Sequence, residues 1–149
     1  MTGFQPTDPE FEARIRAEFA AQGAMTALGM TLSAVEPGRV VIEFPMSPAV
    51  TQQNGYVHGG VTTTAMDSAC GFAAISLIPD HALMLTAEFK VNLLSPAAGE
   101  HFVAEGRVLK PGRQLIVTQG SLYAPGQADK PMAIMTATMM VMANARDRT

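Results

Sequence analysis

His58-Gly59-Gly60, with Asp67 nine residues after the histidine, carries the groups in this chain best suited to chemistry. A glycine pair at the head of a helix leaves backbone N–H groups open to close approach. With the helix dipole behind them, those groups favour an oxygen that gains negative charge, as in acyl transfer. The same pair also relieves crowding where a loop enters a helix. Asp67 sits in an otherwise neutral stretch, where an acid costs helix propensity and, if buried, desolvation. Such a carboxylate is a candidate general base or nucleophile beside an electrophilic carbonyl; the plainer reading is an acid that reaches solvent or bonds a neighbouring loop. His58, directly before the helix, is open to reading as a base, a cap or a packing residue.

Arg107, Lys110 and Arg113 place three cations around a Pro111-Gly112 turn in a chain of net charge −3. They suit phosphate groups, or form a solvated hairpin tip. Cys70, the one cysteine, has no histidine at an obvious partner position and reads as a buried, inert thiol. His81 and His101 read as surface or strand-end residues. No HExxH or comparable pair calls for a metal, and no cofactor is implied.

Positioning these groups requires particular elements. Thr7-Asp8-Pro9-Glu10 supplies a cap, a proline at the first helical position and early acids, and Phe11, Ile15 and Phe19 recur every four residues. Residues 9–21 therefore read as an amphipathic helix. Leu28–Val35 and Arg39–Pro45 flank Glu36-Pro37-Gly38 as a hairpin, and residues 46–58 form a loop of neither period. Gly59–Ile78, rich in Ala, Gly, Ser and Thr, reads as a helix buried on most sides. Strand-like runs follow at Ala82–Leu94, Glu100–Lys110, Arg113–Tyr123 and Met132–Ala143, and Asn144–Thr149 is a ragged end. Without repeated β-α alternation this is α+β: about six antiparallel strands wrapped around one long helix, plus an N-terminal helix.

Composition narrows the classes further. A chain of 149 residues, 48% hydrophobic and 15% charged, suits one domain over 1–149. Its acidity disfavours nucleic acid as a partner. The start has no apolar signal-peptide core, and no apolar run reaches the ~18 residues of a membrane span, so no membrane partner is expected. A lone cysteine fits the reducing cytoplasm. Eleven Met and few charges suggest an oligomer or an apolar-ligand site.

Asn54–Gly60 (NGYVHGG) with Asp67, then Thr86–Pro96 (TAEFKVNLLSP), then Gly106–Arg113 (GRVLKPGR), resembles the hotdog-fold acyl-CoA thioesterases of the PaaI-like branch, over about 28–143. The resemblance implies a homodimer with one continuous sheet and hydrolysis of a coenzyme A thioester at the interface. It implies that Gly59 gives its N–H to the thioester oxygen, that Asp67 attacks or activates water, and that Thr86 helps hold the water. Gln52 stands where relatives often carry Asn near the carbonyl; Asn54 and Gly60 belong to the same substrate-binding loop, and Arg113 leads the phosphate candidates. A hotdog hydratase or dehydratase and a non-catalytic acyl-CoA binder or sensor are the competing functions.

Three expectations follow. Strict alternation sets Thr86 with Glu88, Lys90 and Asn92, opposite Ala87, Phe89, Val91 and Leu93, which read as the core face, so a strand end, a bulge or a subunit seam must reconcile its place with a site role. Neither face of Met132–Ala143 is strongly polar, which predicts a dimer of dimers, a homotetramer. Gly59 and Asp67 lie ~12 Å apart along one helix at ~1.5 Å per residue, so one carbonyl can meet both only if they come from different chains.

Overall fold

The strand-like runs pair into a single antiparallel sheet in the order β1-β2-β4-β5-β6-β3. In this computed structural model, which describes residues 3–143, the strands are β1 (Thr31–Glu36), β2 (Arg39–Pro45), β3 (Ala82–Leu93), β4 (His101–Lys110), β5 (Leu115–Tyr123) and β6 (Ala133–Ala143). The helices are α1 (Phe11–Ala20), α2 (Gly23–Ala27) and α3 (Gly59–Ile75). Asn144–Thr149, read above as a ragged end, lies outside the described residues.

Small side chains let α3 sink into the sheet. It buries Ala65, Met66, Ala69, Cys70 and Phe72 and packs against β2, β3, β4, β5 and β6. Gly106 and Gly120 pair across β4 and β5 directly beneath it. A Cβ on Gly106 would lie 2.3 Å from the Ala69 carbonyl carbon, and one on Gly120 3.1 Å from Cys70 Sγ. Any larger residue at Gly106 pushes the helix off the strand, and with it the side chains the helix presents.

The far end of α3 depends on the N-terminal segment. The helix stops at Ile75 rather than Ile78, closing in single turns from Leu77 N–H to Ala74 O (3.0 Å) and from Ile78 N–H to Ile75 O (3.2 Å) ahead of Pro79. Its last carbonyls have no partners within the helix. Arg14 of α1 donates to the Ile75 and Ile78 carbonyls and Thr7 to that of Leu77, while Asp8 holds Arg14 at 2.9 Å. Asp8 also accepts the Glu10 N–H, and α1 itself starts at Phe11, two residues later than expected.

The sequence reading missed α2, because five residues are too few to show a helical period. Gly29, at φ +66°, ends that turn, so β1 begins at Thr31 rather than Leu28. The remaining strands agree with expectation to within a residue or two. None of the described helices is long and apolar enough to cross a membrane.

Candidate active site

The loop before α3 is folded by its own backbone. Gln52 N–H donates to Tyr56 O and Gly55 N–H to Gln52 O, with Gly55 at φ +82° allowing the turn. The Asn54 N–H donates to the Gln52 side chain. His58 then donates its N–H to Val50 O at 2.8 Å and caps α3, its Nδ1 accepting the Gly60 N–H at 2.9 Å. The cap reading of His58 is therefore the one its geometry supports, with the proton of a neutral ring on Nε2. It also removes the Gly60 N–H from those free to bind substrate.

Gly59 is left as the open donor. Among the described residues its N–H has no acceptor, and it lines a cavity of about 400 Å³ together with Gln52, Tyr56, Leu93, Leu122 and Met132. Thr63 and Thr64 turn their hydroxyls back onto the Gly59 and Gly60 carbonyls, and the Val61 and Thr62 N–H groups donate to His58 O, so the first turn leaves the Gly59 N–H alone without an acceptor among the described residues.

Asp67, half-buried two turns deeper, faces a different cavity of about 200 Å³, lined by Gln22, Ser68, Gly71, Phe72, Met84 and Thr86 among others. Thr86 donates its hydroxyl to Asp67 Oδ1 at 2.8 Å. A β-bulge makes this possible: Thr86 pairs with Met139 and Glu88 with Thr138, leaving Ala87 unpaired between them. The extra residue flips the alternation, so Thr86 shares the inner face with Phe89, Val91 and Leu93. Of the three reconciliations, the bulge is the one observed. Cys70, one turn along, is fully buried; burial pushes its thiol up to about 12, consistent with an inert packing residue.

The three cations part company. Arg107 is ion-paired with Glu105, which also receives Arg39 at 3.1 Å and the Tyr123 hydroxyl at 2.7 Å. Burial alone would raise the Glu105 carboxyl, but the hydrogen bonds from Arg39 and Tyr123 outweigh it and hold the carboxyl below its usual range. This network on the outer face of the sheet escaped the sequence reading. Its one sequence signal is the spacing of Glu105 and Arg107, which puts both on the same side of a strand. Lys110 is exposed at the end of β4. Arg113 lines a cavity of about 700 Å³ with Leu77, Pro79, His81 and Val141, at the C-terminal end of α3. Among the described residues no cluster of His, Cys, Asp and Glu could hold a metal ion.

An antiparallel sheet wrapped around one long helix is the hotdog architecture. Residues 54–129 match the family described as the thioesterase superfamily, and the chain belongs to it. Acyl-coenzyme A thioesterase 13 of Homo sapiens is 30% identical over 78% of this chain and 89% of its own. A thioesterase family protein from Silicibacter pomeroyi superposes with TM-score 0.85 at 43% identity, covering 90% of this chain and 99% of that one. A Saccharolobus solfataricus protein named a putative esterase is 36% identical over 57% of this chain, and the match spans 60% of that protein's length.

Proposed function

We propose that the protein hydrolyses an acyl-CoA thioester to the free acid and coenzyme A, as a cytoplasmic enzyme of the PaaI-like branch, through sites shared by two chains. The observation that carries this reading is the placement of the Gly59 N–H and the Asp67–Thr86 pair in separate cavities of one protomer. A twofold dimer whose α3 helices run antiparallel sets Gly59 of one chain against Asp67 of the other, twice. The thioester oxygen then accepts from Gly59, and charge develops on it where the helix dipole favours charge. Thr86 occupies Asp67 Oδ1, which leaves Oδ2 either to take a proton from a water that attacks the carbonyl carbon, or to attack it directly and form a mixed anhydride that water then hydrolyses to the free acid; in both, the C–S bond breaks and the coenzyme A thiolate departs. Gln52 reaches the carbonyl region from the loop with Tyr56 beside it, and Asn54 acts through the backbone N–H it gives to the Gln52 side chain. Arg113, with Lys110 on the same hairpin, holds phosphates; Arg107, already paired, contributes to the field. The dimer forms along β3, and two dimers join through the outer-face patch of Leu83, Leu85, Leu115 and Met140, all exposed in the protomer.

The test is release of free thiol from a panel of acyl-CoAs. Asp67→Asn, nearly isosteric, is expected to keep the fold while kcat falls by about a hundredfold or more, the usual loss for a base or nucleophile. Full activity in that variant overturns the assignment, and no hydrolysis of any acyl-CoA by the wild type favours the binder or sensor.

A further inference from the structure

We infer that Met139 is a positioning residue for the Thr86–Asp67 pair: its thioether sulfur is the acceptor to which the Thr86 hydroxyl turns when Asp67 loses its charge. This rests on the thioester chemistry proposed above.

The Thr86 hydroxyl carries one hydrogen and stands within reach of two acceptors. Asp67 Oδ1 lies 2.8 Å from its oxygen and Met139 Sδ 3.5 Å. An ionised carboxylate is much the stronger acceptor, so in the resting site the hydrogen lies on Asp67. The sulfur is brought there by strand register. Thr86 and Met139 are cross-strand partners on β3 and β6, and side chains so paired meet on one face of the sheet. Met139 is fully buried, and the Thr86 hydroxyl is the one donor its sulfur has among the described residues. Met135 supplies the contrast. It lies four residues earlier on the same face of β6, is likewise buried, and stands opposite Val91, which has no hydroxyl.

Either route at Asp67 removes its charge. Taking a proton from water makes the carboxylate a neutral acid, and attacking the carbonyl carbon makes it a mixed anhydride. A hydrogen bond to a charged acceptor is roughly twice as strong as a neutral one, so a donor committed to Asp67 stabilises the resting anion more than the state that follows. That difference adds to the barrier. Rotation about the Thr86 Cβ–Oγ1 bond carries the hydrogen to sulfur with no heavy atom displaced and no proton leaving Thr86, and it recovers part of the difference. Thr86 is exposed in the protomer, but the dimer proposed above covers β3, so sulfur and not water is the second acceptor in the completed site.

The experiment measures kcat and KM by thiol release, on the acyl-CoA that the wild type hydrolyses fastest, for Met139→Leu, Met135→Leu, Thr86→Val and the double variant Thr86→Val with Met139→Leu. Leucine conserves the volume of either methionine, so both single variants should fold. Met139→Leu is expected to lower kcat about threefold with KM unchanged, the worth of a weak hydrogen bond. Met135→Leu should behave as the wild type. Once Thr86→Val has removed the hydroxyl, adding Met139→Leu should change nothing further, a non-additivity that a packing role does not produce. Equal losses at Met139 and Met135, or a Met139→Leu loss that persists in the Thr86→Val background, overturn the inference and leave the thioesterase reading standing. A wild type that hydrolyses no acyl-CoA overturns that reading and the inference with it.

Discussion

The two edges of the sheet are built on opposite plans. β1 is six residues long, carries a register shift between Leu32 and Ala34, and ends in Glu36; none of the exposed large hydrophobic side chains lies on it. β3 is twelve residues long and shows Leu83, Leu85, Phe89 and Leu93, each roughly half exposed. Short, irregular, charged edges resist pairing, whereas long apolar ones invite it. One edge is finished within the chain, and the other is left open to pairing, where the dimer proposed above would form. The catalytic candidates follow the unfinished edge: Thr86 lies on β3, Asp67 bonds to it, and a Cβ on Gly59 would touch Leu93 at 2.9 Å.

The largest expected effect tests whether that edge completes the site. Asp67→Asn and Gly59→Pro are each expected to be inactive. Proline at the first position of α3 removes the N–H yet suits the helix, and His58 before it is already extended at ψ 135°. In a mixed dimer one site inherits both lesions and the other neither, so random exchange should restore about a quarter of wild-type activity per chain. Mixing that restores nothing, under conditions shown to exchange subunits, rules out the shared site.

A smaller effect separates the edges themselves. Phe89→Glu places a charge on the inner face of β3, and is expected to give monomers by light scattering with activity down on the order of tenfold or more, since an incomplete site follows from a lost partner. Thr31→Lys, a charge added to β1, should leave the oligomer and the rate as they are. Equal disruption by both variants would mean that the edges are not functionally distinct.

Several features of this arrangement were readable in the residues and others were not. His58-Gly59-Gly60 and Asp67 stand out because backbone donors and a misplaced acid are anomalies of composition, visible without coordinates. The strands were legible from period and turn chemistry. Thr86 was named through the resemblance, but its face was not legible, because a one-residue bulge at Ala87 reverses every later side chain and the pattern leaves bulge, strand end and subunit seam open. Gln22 was invisible for a different reason: forty-five residues separate it from Asp67, and only tertiary packing brings them to one cavity. The pairing of Arg107 with Glu105 was legible in principle and was passed over in favour of a ligand.

Arg113 supplies a milder test, on the affinity of the site rather than its completeness. Arg113→Ala should raise KM for acyl-CoA by about fivefold, the worth of one partly solvated charge-assisted contact, and leave KM for the matching pantetheine thioester, which lacks the nucleotide, nearly unchanged. Equal effects on both substrates would make Arg113 structural.

The smallest effect on activity belongs to the half of the molecule nearest β1. Arg39, Arg107 and Tyr123 converge on Glu105 across the outer face of β2, β4 and β5, and these partners hold the carboxyl below its usual range. A carboxylate favoured in the folded state stabilises at pH above the unfolded value of ~4.3, and that contribution is lost as pH falls through the depressed folded value. The thermal midpoint should therefore decline with acid below about pH 4.3. Glu105→Gln should flatten part of that decline, and at neutral pH it should cost about 2 kcal/mol, because two guanidiniums lose an anionic acceptor in a mostly buried setting. Yet nothing in the network touches β3, so dimerisation and kcat should survive wherever the variant remains folded. A Glu105→Gln protein that is thermally normal but dissociated would reverse the roles assigned here to the two edges.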